Sequence, residues 1–164
     1  MIEQENELLM AAFREVMAGV PTPVTVVTAM DGGRPHGTTV SAFTSLSMQP
    51  PMVMVALDRR SQLLGLLRSS LRFGVNVLGH AQTASALAFA RKGGAEKFAG
   101  VLWEADRDIP RLLGAPGWLA CEVADFVDGG DHVIVLGNVM SAETAGGDPL
   151  TYHARAFGTH VAIA

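Results

Sequence analysis

The chain has 164 residues, about one domain's length and enough to bury a sizeable core. Hydrophobic residues make up 49% and charged residues 17%, which excludes the polar, highly charged composition of a disordered chain. Lys and Arg number 12 against 16 Asp and Glu, a net charge of −4, so no bulk positive field exists to hold nucleic acid or an anionic membrane.

Residues Glu3 to Ala18 carry acids in the first turn and apolar residues at Leu9, Phe13, Val16 and Met17. This is the pattern of a leading helix over residues 1–18, ended by Gly19 and Pro21. From Pro23 the period changes. Val24 to Thr28 is β-branched, Asp31-Gly32-Gly33 signals a turn, and Gly37 to Ser47 reads as one further extended stretch, so two paired strands are expected. After Pro50-Pro51, Met52 to Leu57 is apolar at every position and reads as a core strand.

Ser61 is placed to cap a short helix bearing Leu63, Leu64, Leu66 and Leu67, after which Phe73 to Leu78 returns to strand character. Ala81 to Arg91 is alanine-rich and predicts a helix. Trp118 to Val127 and His132 to Ser141 are extended runs separated by Asp128-Gly129-Gly130-Asp131, the strongest hairpin signal in the chain. Phe157 to Ile163 is expected as a final short strand. At least six strands, three brief helices and connections too short for crossover helices predict a mainly β fold. Its expected form is a single domain over 1–164, an antiparallel Greek-key barrel.

Several chemistries lack their usual marks. There is no dinucleotide fingerprint, phosphate loop, zinc-protease pair or nucleophile elbow. His36, His80, His132, His153 and His160 are scattered without metal-ligand spacing, so no metal site is expected, and His36 and His80 read as surface residues. The lone Cys121 sits in an apolar strand pattern and reads as an inert buried thiol. The acidic start is unlike a secretory signal, and no apolar run approaches the roughly 20 residues of a membrane helix; a cytoplasmic location is expected. Mean hydropathy is +0.29, high enough to anticipate apolar surface buried between subunits.

Gly37-Thr38-Thr39-Val40-Ser41-Ala42-Phe43-Thr44-Ser45-Leu46-Ser47, followed by Pro50-Pro51, resembles the signature of the flavin reductase family of FMN-binding split barrels. Further landmarks agree in order. They are Asp58-Arg59-Arg60-Ser61, Phe73 to Leu78, Lys97-Phe98-Ala99-Gly100-Val101 with Trp103 behind, and Gly130-Asp131-His132 at a hairpin. The similarity runs from about Phe13 to about Gly158. It implies a homodimer of split β-barrels in which NADH or NADPH reduces FMN or FAD, with the reduced flavin passed to a partner monooxygenase.

By the same resemblance, Thr38, Thr39, Val40 and Ser41 line the ring and ribityl chain, with Ser45 and Ser47 toward the phosphate. Arg59, Arg60, Ser61 and Gln62 hold the phosphate or diphosphate, and Lys97 and Phe98 close over the flavin. His132 orients the nicotinamide. Read alone, each feature has a plainer meaning: a threonine-rich strand, a capped helix with solvated arginines, a surface lysine beside a core phenylalanine, a hairpin histidine satisfied by Asp131. Asp58 would repel a phosphate if it pointed inward, so it is expected to face away or bind a sugar hydroxyl. Near the C-terminus Tyr152-His153-Ala154-Arg155-Ala156-Phe157-Gly158 displaces the family's arginine by one position. That departure keeps a second reading open, a flavin- or haem-binding split barrel without reductase turnover.

Overall fold

The computed structural model describes residues 1–164. In chain order the helices are α1 (Ile2–Ala18), α2 (Gln62–Ser70) and α3 (Thr83–Ala90). The first strands are β1 (Thr22–Pro23), β2 (Thr25–Asp31), β3 (Arg34–Val40), β4 (Phe43–Met48), β5 (Pro51–Asp58) and β6 (Arg72–Val77). They are followed by β7 (Trp103–Asp106), β8 (Ile109–Leu112), β9 (Gly117–Gly129), β10 (His132–Thr144), β11 (Thr151–His153) and β12 (Ala156–Gly158). Single 3₁₀ turns occupy His80–Gln82 and Ala95–Phe98.

Seven strands form one antiparallel sheet in the order β3-β2-β6-β9-β10-β5-β4. Its two edges, β3 and β4, are consecutive in the chain, so the sheet must curl until they meet. The Ala56 amide donates to Ala42 O at 2.9 Å and pins the Ser41–Ala42 corner against β5. Bulges in the long β9–β10 ladder, at Leu136/Gly137 and Val139/Ser141, supply the bending this curl needs. Above the corner β3 stands beside β5 with no ladder between them, and the barrel is split along that line.

Alternation along the strands fills the interior. Val53, Val55 and Leu57 of β5 point inward with Val27, Phe73, Val75, Val133 and Val135. Leu63, Leu64 and Leu67 of α2 plug the end that the chain crosses between β5 and β6; burying each is worth roughly 1.5–3 kcal/mol. Burial of Cys121 pushes its thiol up to about 12, as an inert core sulfur requires. A second core on the outer face of β2 joins Val24 and Val26 to Ala86 and Phe89 of α3, with Phe98 and Leu112.

Buried polar groups tie this layer down. Thr28 Oγ1 donates to Pro110 O at 2.6 Å, and Asn76 Nδ2 to Val26 O at 3.0 Å. Leu112 N donates to Asn76 Oδ1 at 2.7 Å.

Three local expectations need correction. The stretch Gly37–Ser47 is two strands, because the chain turns its corner at Ser41–Ala42. Met52 to Leu57 is fully buried on one face only; burial at consecutive positions falls instead on β2 and β6, whose outer faces both pack against β8, with α3 also over β2. The final strand stops at Gly158, where pairing with β11 runs out. The β7–β8 hairpin was not expected. α1 forms as read, yet none of its residues is buried; Arg155 pairs with Glu15, and Ala154 N donates to Ala18 O at 2.7 Å.

Candidate functional site

The split in the barrel is the site. β3 is paired on one side only, with β2, so its other edge presents main-chain groups without a strand partner. Opposite it, β5 ends at Asp58, the turn after it carries Arg60 and Ser61, and β10 begins at His132, which faces Asp58 across the β5–β10 ladder. Between these walls lies a cleft of about 260 Å³ lined by Thr38, Thr39, Val40 and Ser41 from one side and Asp58, Ser61 and His132 from the other. Thr38 Oγ1 and Thr39 Oγ1 donate to Phe89 O (3.4 Å) and Ala86 O (2.6 Å) of α3. Ser61 stands at the N-cap of α2 without a side-chain cap bond, so its hydroxyl faces the cleft beside the unpaired first amides of the helix.

A second compartment, about 440 Å³, shares Thr38, Asp58 and Ser61 with the first. Its character is different. Arg60, Arg91, Lys92 and Lys97 line it, with His36 and Gln62, and Ala90 is its one hydrophobic lining residue. Lys97 Nζ donates to Gly37 O at 3.1 Å and Phe89 O at 3.4 Å, which ties the turn that carries it to β3 and α3. Burial lowers the Lys97 pKa.

His36, expected on the surface, is half-buried, with its Nδ1 turned inward. Its Nε2 lies 3.4 Å from Gln62 Oε1, which places the proton there, and its Nδ1 is the one buried side-chain polar atom of the chain without a partner. Burial lowers its pKa below the ordinary 6.5, with Lys97 acting in the same direction; the ring is therefore neutral and Nδ1 is an acceptor.

Asp58 does not face away: it lines both compartments. Its charge is answered by Arg60, whose Nε and Nη2 donate to the two carboxylate oxygens at 3.1 and 3.0 Å and whose main-chain N donates at 2.8 Å. These bonds hold the carboxyl down to about 2. A bidentate pair in the wall leaves the turn little net repulsion toward an anion.

The remaining expected site residues are spread around the cleft. Arg59 reaches away from it, donating through Nε to Gly130 O (2.7 Å) and through Nη2 to Asp128 (2.9 Å), while its own amide donates to Asp131 O. It thus clamps the hairpin turn that carries His132. There Gly130 takes φ +68, a left-handed conformation open to glycine, and His132 Nδ1 lies 2.8 Å from Asp131 Oδ1. Phe98 is 5% exposed and packs edge-on to Phe89 and Trp103 in the second core. Ser45 and Ser47 line a separate groove of about 580 Å³ with Phe43, Met48, Met52 and Leu119, which shares no residue with the cleft. His36, Arg91 and Lys92 are additions that the sequence did not single out. A period-2 step back from Thr38 and the basic end of the Ala81–Arg91 helix were the available signals.

Residues 17–160 match the model of the flavin reductase like domain family. The chain is 40% identical over 151 residues to the reductase component of 4-nitrophenol 4-monooxygenase/4-nitrocatechol 2-monooxygenase from Rhodococcus opacus, covering 92% of this chain and 81% of that protein. It is 38% identical to the NADH:riboflavin 5'-phosphate oxidoreductase of Streptomyces pristinaespiralis, over 90% of this chain and 86% of the relative. Of the stachydrine N-demethylase reductase subunit Stc3 of Rhizobium meliloti, 34% identical, it spans 62%. Among solved structures, the Streptomyces globisporus C-1027 NADH:FAD oxidoreductase SgcE6 superposes with a TM-score of 0.87 at 31% identity, covering 93% of each chain.

Proposed function

The chain belongs to the flavin reductase-like family, and from that membership we propose that it transfers a hydride from NADH or NADPH to FMN or FAD. The reduced flavin then serves a separate monooxygenase, a reading supported by the Rhodococcus opacus relative, which is named as a monooxygenase reductase component. One observation carries the reading: a bare strand edge and a cation-bearing turn face each other across an open cleft. A flavin nucleotide needs hydrogen-bonding groups along ring edge and ribityl chain, cations for its phosphate, and one ring face left for the donor. The β3 edge from Thr38 to Ser41 supplies the first. Arg60 and Lys97 supply the second, with the neutral Ser61 and Gln62 side chains beside them.

Bound there, the flavin supplies the hydride-accepting ring, and the transfer asks the protein for alignment more than for an acid or base. His132, on the wall opposite β3, orients the nicotinamide. Asp131 holds its Nδ1 side, leaving Nε2 for the donor, and Arg59 fixes the turn beneath both. Arg59 is in this reading a positioning residue. Phe98 supports Lys97 from within the second core rather than covering the flavin, and Ser45 and Ser47 act outside the cleft.

The same reading includes a homodimer. α1 exposes Leu9, Phe13, Val16 and Met17, and the outer face of β4 and β5 exposes Leu46 and Met48 beside the 580 Å³ groove. Apolar faces of this kind are covered in stable assemblies. No helix of the chain is long and apolar enough to cross a membrane, and a reduced nicotinamide donor fits a cytoplasmic location. Steady-state oxidation of NADH and NADPH with riboflavin, FMN and FAD tests the activity. Flavin-dependent loss of nicotinamide absorbance is expected. No turnover with any of the six pairs, or a tightly coloured protein inert to both donors, overturns the proposal. Light scattering on the eluting protein tests the dimer, and a monomer at micromolar concentration refutes it.

A further inference from the structure

The second compartment is larger than a terminal phosphate needs. Its volume is about 440 Å³ against about 260 Å³ for the cleft where ring and ribityl chain are placed. With Ala90 its one hydrophobic lining residue, it offers no apolar wall against which a tricyclic ring could be buried. What it offers is positive charge, free of a partner on the side of α3. Arg60 stands on the turn after β5, and Arg91 and Lys92 stand at the far end of α3, with Lys97 beside them. Asp58, the one carboxylate in the lining, is held by Arg60. Arg91 and Lys92 make no salt bridge or side-chain hydrogen bond within the chain. In the same wall the His36 Nδ1 acceptor is buried and unanswered, and a buried acceptor is destabilising until a donor arrives. A compartment that is polar, cationic along its α3 wall and short of one hydroxyl donor matches a sugar diphosphate.

We propose that this compartment is a ribosyl-diphosphate site that takes the adenosine diphosphate half of FAD, so that the chain prefers the dinucleotide flavin over FMN. The inference rests on the flavin reductase reading, because continuity with the flavin cleft through Thr38, Asp58 and Ser61 is what assigns the diphosphate to the flavin. Reduced nicotinamide carries the same ribosyl-diphosphate chemistry, and the test separates the two. Arg91 and Lys92 are the residues that only the longer ligand reaches; both are exposed at the end of α3, where substitution leaves the core untouched.

Dissociation constants for riboflavin, FMN and FAD are measured by flavin fluorescence on the full chain and on the double variant Arg91→Ala/Lys92→Ala, with thermal melting as the check on folding. In the unaltered protein FAD is expected to bind at least about tenfold more tightly than FMN. In the variant FAD loses about tenfold or more, while riboflavin and FMN stay within about threefold. ADP is expected to compete with FAD and not with riboflavin. Equal affinities for FMN and FAD in the unaltered protein overturn the inference, as do equal losses of FMN and FAD in the variant. A variant whose FAD affinity is intact while its KM for reduced nicotinamide rises assigns the compartment to the electron donor and refutes the proposal. Failure of riboflavin to bind at all is a separate result, and it sinks the flavin reading itself.

Discussion

Ser61→Asp is the sharpest probe of where the phosphate lies. Ser61 lines both compartments and occupies the N-cap of α2 without a side-chain cap bond. Asp is among the best N-cap residues, so the substitution leaves the helix at least as stable and any binding defect reports on the cleft. A new carboxylate about 5 Å from a phosphate, at an effective dielectric of about 60 for an open cleft, repels each unit of negative charge by about 1.1 kcal/mol. A phosphate monoester carries about 1.5 to 2 charges at neutral pH, giving about 1.7–2.2 kcal/mol, or a loss of about 15- to 40-fold in FMN affinity.

Riboflavin has no phosphate and is expected to bind Ser61→Asp within about twofold of the unaltered protein. Ser61→Asn is the neutral control of the same shape. Fluorescence titration of both flavins against both variants reads the difference, and added salt shrinks the FMN defect because an open cleft is screened. Equal losses of riboflavin and FMN, or an Asn variant as poor as the Asp variant, would show that position 61 acts by shape and that the phosphate lies elsewhere.

Other consequences are as direct. His132→Ala is expected to raise the KM for reduced nicotinamide or slow single-turnover reduction while flavin affinity stays within about twofold. Arg59→Ala, which frees the hairpin turn, should produce the same defect in weaker form, and the double variant should be no worse than His132→Ala alone, since both act through one group. Stopped-flow reduction that is unchanged in both single variants refutes the pairing.

A Cβ at Gly137 would lie 2.5 and 2.8 Å from Cζ and Cε1 of Phe73, a ring with no exposure. Gly137→Ala is therefore expected to cost about 1–3 kcal/mol and lower Tm by about 3–9 °C, and an unchanged Tm disproves the tight contact. The lowered pKa of His36 means that the unfolded chain takes up its proton first. Stability is full above 6.5, the unfolded value, and declines as pH falls from there through the folded pKa. His36→Asn should flatten that part of the Tm-versus-pH curve, and an unaltered curve refutes the assignment.

Much of the architecture was legible because period and punctuation agree. β2 opens on a β-branched run that ends at Gly32-Gly33, the β9–β10 hairpin turns at Gly129-Gly130, and α2 carries Leu63, Leu64 and Leu67 on one face. The β7–β8 hairpin was not legible. Its turn places Arg107 and Asp108 at φ 53 and 60, where glycine or asparagine is the usual signal, and what holds it is long-range: Thr28 Oγ1 on Pro110 O and Asn76 on Leu112 N.

At the site, the near wall could be read from Thr38 to Ser41 and from Asp58 to Gln62 because each is continuous in sequence. The far wall could not. Arg91 and Lys92 reach the second compartment only because α3 is seated on Thr38, Thr39 and Lys97 through its carbonyls. The inward aspect of Asp58 depends on a neighbour two residues away, since charge repulsion argued against it until Arg60 closed over it.

The corner at Ser41–Ala42 does two jobs at once: it shuts the cylinder and it frames the opening. A replacement there is judged by folding before it is judged by any visitor to the groove, so that side has little room to vary. The tip of α3 carries no such double duty. If descendants of this fold change their choice of nucleotide, the lasting edits should gather at that tip, where the scaffold has nothing at stake.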